Sequence, residues 1–328
     1  MAKRALVAGG AGFIGSHLVD LLLSKGYEVV VVDVLVTGRE TNLSAALAKG
    51  VQLEKADIRD RSALDRLLRQ HGHFDEIYNL ASPASPVDFA RIPMFILETG
   101  SIGHRNLLDL AREAGSRVLF ASSSEVYGDA EVHPQVETYF GNVNTVGHRS
   151  CYDEAKRYGE SLSVAFTKEF GVETRMARIF NTYGPRMRPN DGRIIPNFFI
   201  QALQKQSLTV YGDGSQTRSF CYCSDQAAGL FALMQSNEAR PVNVGNPIER
   251  TVMEIAQAVN ALTGNTAPLR YLPLPENDPK VRRPDITRAK VSTGWEPKVD
   301  LETGLKACLE YFRAELAASP GGIHAPTL

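Results

Sequence analysis

Along the first 180 residues, short aliphatic and β-branched runs alternate with stretches whose apolar positions recur at helical spacing. The runs at residues 5–8, 28–33, 51–54, 76–80, 117–121 and 173–179 read as strands. Val29, Val30, Val31 and Val32 are continuous rather than alternating, the pattern of a strand covered on both faces. Between the runs lie helical stretches. One is closed by Leu18, Leu21, Leu22 and Lys25, and another carries Leu64, Leu67, Leu68 and a basic Arg69. Strands alternating with helices predict an α/β fold, a doubly wound parallel sheet.

After Ile179 the pattern changes. Residues 181–190 form a loop rich in Pro, Gly and Arg. A helix is predicted near 196–205, a strand at 208–211, a Gly212-Asp213-Gly214 turn, a helix near 252–262 and a last helix over 301–316. Residues 268–284 are proline-rich, and the tail 317–328 is expected to fray. The expected division is a dinucleotide unit over 1–180, to which the chain returns at about 218–244. A smaller mixed α/β unit over 181–217 and 245–316 would hold substrate. No internal repeat or low-complexity segment interrupts this pattern.

Composition narrows the function classes. The 328 residues carry 36 Lys plus Arg against 37 Asp plus Glu, a net charge of −1. Bulk basicity for nucleic acid or an anionic membrane is therefore absent, and an anionic ligand must be held by local groups. Cysteines stand at 151, 221, 223 and 308 with no C-x-x-C pair, which argues against structural zinc and against a disulfide framework. No apolar run approaches the roughly 18 residues of a membrane span. The chain enters an apolar strand at Arg4-Ala5-Leu6-Val7 without a signal-peptide pattern, so a soluble, cytoplasmic protein is expected. His71 and His73 bracket a helix-ending Gly72 with no third ligand near, and no metal is expected. Cys221 and Cys223 alternate around Tyr222 and read as strand packing.

Gly9, Gly12 and Gly15 form G-x-x-G-x-x-G where the first strand meets the first helix, with Phe13 and Ile14 inside the motif. Such glycines allow a tight turn and close approach of backbone to a pyrophosphate, which the helix N-terminus attracts. Asp33 ends the valine strand eighteen residues later. A carboxylate there accepts both ribose hydroxyls and repels a 2′-phosphate, favouring NAD over NADP. In Thr37-Gly38-Arg39, Arg39 either contacts the pyrophosphate or is solvated. Asp57, before Ile58, either contacts adenine or caps its loop.

Tyr152 and Lys156 form Y-x-x-x-K at the start of a helical pattern running to about Phe170. Positions i and i+4 share a helix face, so the ammonium can sit beneath the phenol. A nearby positive charge lowers a phenol's pKa and makes it usable as a general base. Ser122-Ser123-Ser124 follows the fifth strand.

Together these motifs resemble the extended short-chain dehydrogenase/reductases that act on nucleotide sugars, a Rossmann-type family. Several stretches resemble the UDP-glucuronate decarboxylase (UDP-xylose synthase) family within it. They are Ala81-Ser82-Pro83-Ala84-Ser85-Pro86, Ser123-Ser124-Glu125-Val126-Tyr127-Gly128-Asp129 and Arg149-Ser150-Cys151-Tyr152-Asp153-Glu154. Asn181 through Met187, Asn190 through Arg193, Gly214 through Arg218, Asp278-Pro279 through Arg282, and Pro284-Asp285 continue the series.

The resemblance implies a catalytic set of Ser123, Glu125, Tyr152, Lys156 and Arg282. Tyr152 would take the proton of the sugar 4-hydroxyl while hydride passes to NAD. The resulting 4-ketone lies β to the carboxylate, carbon dioxide leaves, carbon 5 is protonated and the hydride returns. Ser124 stands where a sugar 4,6-dehydratase carries an Asp, and Glu125 is usually missing from a 4-epimerase. Asn181, Arg186 and Arg218 are implied for the diphosphate, Val210 and Tyr211 for the uracil, and Ser124, Arg193 and Arg282 for further substrate contacts. Two helical segments, 97–112 and 153–169, are implied to form a homodimer interface. Glu98 and Gly100 depart from the family's Lys-Thr-Asn, His148 from a Pro and Ala8 from a Thr. Another nucleotide-sugar enzyme, an epimerase or dehydratase, and a non-catalytic NAD-binding sensor are the alternative readings. Intact Ser123, Tyr152 and Lys156 weigh against the sensor.

Overall fold

Arg4–Ala8, Glu28–Val32, Gln52–Glu54, Glu76–Asn79, Arg117–Ser123 and Thr174–Ile179 are strands in the computed structural model, which describes residues 2–273, 282–319 and 323. They build one seven-stranded sheet whose neighbours all run parallel. The seventh strand, Val242–Val244, pairs with Thr174–Ile179 and has no counterpart in the sequence reading. Three residues are too few for a period-two signal. From one edge the order is Val242–Val244, Thr174–Ile179, Arg117–Ser123, Glu76–Asn79, Arg4–Ala8, Glu28–Val32, Gln52–Glu54. Strand order reverses between Arg4–Ala8 and Glu76–Asn79, and open sheets of this kind hold ligands in the crevice at that point.

The unbroken valine run is explained by two apolar layers. Val29 and Val31 pack with Leu18, Leu22, Ala227 and Leu230 of the helices Phe13–Ser24 and Cys223–Gln235. Val30 and Val32 face the opposite way, among Leu64, Leu67, Leu107, Leu108 and Phe166. Each such buried side chain is worth about 1.5–3 kcal/mol. A separate core lies in the later chain, where Phe198, Phe199, Val210, Ile255, Val259 and Phe312 come together. Its helices are Ile194–Leu203, Val252–Thr263 and Leu301–Ala317. A reciprocal cap between Thr251 and Glu254 starts the second of these.

Two local expectations are corrected. Cys221 lies in a two-residue strand, Cys221–Tyr222, but Cys223 opens the helix Cys223–Gln235. Both are nevertheless buried. The segment expected as one helix over 97–112 is broken into Pro93–Glu98, a π-helical turn Thr99–Gly103 and His104–Ala114. Ala317 is helical, and the Ile323 carbonyl accepts a hydrogen bond from Gln204 at 2.6 Å. The rest of the expected frayed tail, 320–322 and 324–328, and the motif residues Asp278 and Pro279 lie outside the described residues. Among the described residues no helix is long and apolar enough to cross a membrane, and no His, Cys, Asp and Glu cluster suits a metal.

Candidate active site

Gly9 leaves the first strand at φ +77°, in the left-handed region that glycine adopts without strain. A Cβ on Gly15 would collide with the Gly9 carbonyl oxygen, so the turn closes only around glycine. Asp33 is buried at the end of its strand. Its Oδ2 accepts the Ala11 N–H at 3.0 Å and its Oδ1 accepts the Leu35 N–H at 2.8 Å. Burial raises its pKa, and these two backbone donors oppose the rise. A Cβ on Gly38 would lie 2.9 Å from Asp33 Oδ2, which keeps the carboxylate edge open. A side-chain-free turn facing a fixed carboxylate fits the pyrophosphate and ribose of a dinucleotide.

One cavity joins this turn, Gly9, Gly12, Phe13, Ile14 and Gly15, to Asp33, Thr37, Gly38, Asp57 and Ile58. The same cavity reaches Ser123, Ser124, Glu125, Tyr152, Lys156, Asn181, Arg186 and Arg193. Val210, Tyr211, Arg218 and Arg282 are not on that wall. Val210 is fully buried in the second core, Tyr211 is half-buried beside it, and Arg218 is buried with a hydrogen bond to the Thr217 carbonyl.

Arg39 does not point to the turn. It pairs with Glu315 at 2.7 Å and donates to the Tyr311 hydroxyl, tying the loop after Asp33 to the last helix. Arg186 lines the cavity but is paired with Asp20 at 2.7 Å. Both oxygens of Asp57 are taken by the Arg59 guanidinium, at 2.7–3.1 Å. Arg59 also pairs with Glu98 and lies over the Phe95 ring at 4.2 Å. Glu98, one of the departures, is therefore neutralised locally.

The helix Ser150–Phe170 carries Tyr152 and Lys156 on one face. Lys156 Nζ donates to the Ala121 carbonyl at 2.8 Å and lies 5.4 Å from the centre of the Tyr152 ring. Burial lowers the ammonium to about 7. Burial raises Tyr152 to about 12, the Ser123 hydroxyl hydrogen-bonded to the phenol pulls it down, and the Glu125 charge adds to the rise. The lowering expected from the spacing is thus outweighed, in the protein alone, by desolvation. Ser123 also caps the turn Ser124–Tyr127, accepting the Glu125 N–H at 3.2 Å.

Glu125 is gripped from two directions. Arg282 donates to Oε1, and Arg149 pairs with Oε2 at 2.7 Å. Burial opposes ionisation, but the Arg282 and Arg149 charges outweigh it and hold the carboxyl down to about 2. The resemblance places Glu125 in the catalytic set, and a carboxylate held this far down does not suit an acid. Asp153, buried beside it, behaves oppositely. Burial and then the Glu125 charge raise it to about 7, against the pull of Arg149 and Arg282.

Several site residues carry no signal in the sequence. Phe89 stacks on Tyr152 at 4.9 Å, and Asp88 pairs with Arg188 across the cavity at 2.5 Å. His104 sits behind Lys156, with Nδ1 3.0 Å from Asn79 Nδ2 and Nε2 2.9 Å from Ser163 Oγ. Burial, then the Lys156 charge, push it down to about 3 and keep it neutral. Only their spatial neighbours mark them, and a single sequence does not place those. Arg149 stands close enough to Tyr152 in sequence that its charge was a readable sign.

The family model for the NAD dependent epimerase/dehydratase family matches residues 5–245. UDP-glucuronic acid decarboxylase 1 of Danio rerio is 50% identical over 314 residues, covering 96% of this chain and 73% of the relative. UDP-glucuronic acid decarboxylase 5 of Arabidopsis thaliana is 46% identical over 322 residues, covering 98% and 91%. Among solved structures, the UDP-glucose 4-epimerase of Thermotoga maritima with UDP-glucose superposes with a TM-score of 0.88 at 32% identity, covering 96% of this chain and 100% of that one. The UDP-glucuronic acid 4-epimerase of Bacillus cereus, in complex with UDP-glucuronic acid and NAD, gives 0.86 at 26%, covering 95% and 100%.

Proposed function

The chain belongs to the NAD dependent epimerase/dehydratase family, and on that premise we propose that it decarboxylates UDP-glucuronate to UDP-xylose through a 4-keto intermediate. The observation that carries this reading is the doubly gripped Glu125 beside Tyr152, with Ser124 between Ser123 and Glu125. Ser124 supplies no strong acid to expel a 6-hydroxyl. Arg149 and Arg282, which grip Glu125, are the cations that a carboxylate at carbon 6 would meet and share.

Tyr152 takes the proton of the 4-hydroxyl, and Ser123 holds the same oxygen. Lys156, anchored on the Ala121 carbonyl, fixes the helix face on which the phenol stands. The glycine turn and Asp33 would hold NAD, which when bound would supply the hydride acceptor and a positive charge. The ketone β to the carboxylate lets carbon dioxide leave, and Tyr152 and Ser123 stabilise the enolate oxygen where charge develops. Glu125 and Arg282 serve the carboxylate end of the sugar. Asn181, Arg186 and Arg193, which line the cavity, are assigned to the diphosphate and sugar, with Arg186 required to give up or share Asp20, and Arg218, off that wall, would reach the diphosphate only by leaving its present position.

Residues 1–180 with 218–244 form the NAD unit, and 181–217 with 245–316 the sugar unit. The protein works as a cytoplasmic homodimer. Its four cysteines are free and buried, which suits a reducing compartment.

The test is product analysis from UDP-glucuronate and, separately, UDP-glucose, with released carbon dioxide measured. A UDP-pentose with equimolar carbon dioxide from the first and no turnover of the second is expected. A 4-epimerised hexuronate without carbon dioxide would establish instead the epimerase reading, which the likeness to the Bacillus cereus enzyme favours.

A further inference from the structure

We propose that Asp153 is a positioning residue that takes up a proton when the hexuronate binds, so that the site selects its carboxylate substrate by proton-linked binding. The inference rests on the decarboxylase reading above and deepens it.

Four charged side chains act on one another here, Asp153 and Arg282 buried and Glu125 and Arg149 partly so. Glu125 comes from the turn after the fifth strand, Arg149 from the residue before the catalytic helix, Asp153 from that helix's first turn and Arg282 from the later chain. Both guanidiniums are committed to Glu125, one at each oxygen. Asp153 is 6% exposed, and its Oδ1 is buried and accepts no hydrogen bond. The charges acting on it are Glu125 and Glu154, which oppose its ionisation, and Arg149 and Arg282, which favour it. Tyr152 adjoins it on the same helix and feels its charge, along with that of Arg193.

Glu154 has its own partner in Arg157 at 3.9 Å, and the remaining two carboxylates and two guanidiniums balance. A hexuronate adds a third carboxylate, with no third guanidinium in the cluster among the described residues. Like charges sharing a site cannot all remain ionised, and the proton goes to the member least held. Glu125 is held by two ion pairs, whereas Asp153 has an oxygen with no donor. When environments separate two neighbouring carboxylates in this way, their acid and base roles separate too.

The proton count closes. Decarboxylation of a carboxylate to a neutral sugar and carbon dioxide consumes one proton, which carbon 5 receives. Here that proton enters from solvent on binding and resides on Asp153. When carbon dioxide leaves, the electron pair of the broken carbon–carbon bond passes to the enolate and the third carboxylate is gone; Asp153 then returns its proton to the water of the site, and carbon 5 takes one up as the enolate reverts to the ketone.

The experiment uses holoenzyme carrying Tyr152→Phe, so that binding is read without appreciable turnover. Titration calorimetry at pH 7.5 to 8.5, in two buffers of different ionisation enthalpy, counts protons. UDP-glucuronate should take up a proton approaching one per site, and UDP-xylose, which lacks the carboxylate, none. The Kd for UDP-glucuronate should rise by about tenfold per pH unit above the Asp153 pKa. Adding Asp153→Asn should abolish the uptake and flatten that slope, and Asp153→Glu should restore uptake. If Asn reduces the folded yield, Asp153→Ser removes the same titration. Uptake unchanged in Asp153→Asn, or tight UDP-glucuronate binding without uptake, overturns the proposal while leaving the decarboxylase reading intact. UDP-glucuronate that neither binds nor yields carbon dioxide with the wild-type enzyme overturns both.

Discussion

Tyr152 stacks on Phe89 with ring centroids 4.9 Å apart and planes 19° from parallel. The ring is thereby held by packing, and the hydroxyl is free to meet Ser123 and the sugar. Tyr152→Phe keeps the stack and removes only the proton acceptor. General base catalysis is worth about 10²–10⁴-fold. The variant should lose kcat by about that factor, with UDP-xylose affinity within twofold of wild type (roughly 0.4 kcal/mol). Stopped-flow and equilibrium binding on the same preparation check it. A loss of affinity equal to the loss of rate would show that the hydroxyl binds rather than reacts.

The strands, the glycine turn, Asp33 and the Tyr152–Lys156 pair were legible because each is local. A period, a turn or an i,i+4 relation is written in consecutive residues. What was not legible depends on distant segments meeting. Arg39 had two local readings, and its partners Glu315 and Tyr311 lie 276 and 272 residues away. Glu98 stands in the sequence only as a departure from the family's Lys, because its partner Arg59 lies 39 residues away. Spacing alone put a cation near the Tyr152 phenol, but it carries no information on desolvation, which raises Tyr152 and lowers Lys156. Phe89, Asp88 and His104 were missed for the same reason, since the groups they meet in the site come from other elements.

Glu125 and Asp153 should impose opposite pH dependences on stability. Glu125 is depressed in the folded protein, so its contribution is present above the unfolded carboxylate pKa and is lost as pH falls toward about 2. Asp153 is raised to about 7, so the folded state holds its proton more tightly than the unfolded chain. Its destabilising effect therefore grows as pH rises from about 4 to 7 and is then constant. Asp153→Asn removes that penalty. Its Tm relative to wild type should be several degrees higher at pH 8 than at pH 5, corresponding to an effect of order a few kcal/mol. A Tm difference that is the same at both values would show that Asp153 does not titrate in this window.

Gly100 is fixed by packing. A Cβ there would stand 2.7 Å from the Ala155 Cβ, where the π-helical turn Thr99–Gly103 presses on the catalytic helix. Gly100→Ala should destabilise by about 1–3 kcal/mol through overpacking. It should also lower kcat, because Ala155 lies between Tyr152 and Lys156 in the chain. Adding Ala155→Gly vacates the contested space and should recover most of the thermal stability lost. Failure of the second change to compensate would place the strain elsewhere.

The homodimer proposal makes its own demand on two neighbouring helical segments. Ile102 is 51% exposed, Tyr158 48% and Val164 53%, all on the segments 93–114 and Ser150–Phe170 that also build the active site. Such side chains cost nothing singly, but several on adjoining helices make an apolar face that association would cover. Sedimentation at micromolar concentration should give twice the 35.9 kDa chain mass. Val164→Arg, which puts a charge in the middle of the face, should shift the protein to monomer without altering its circular dichroism. Because the catalytic helix is part of that face, the monomer should also lose activity by more than its NAD content falls. A wild-type protein that sediments as a monomer would remove the proposed interface, and a Val164→Arg protein that remains dimeric would move it to another surface.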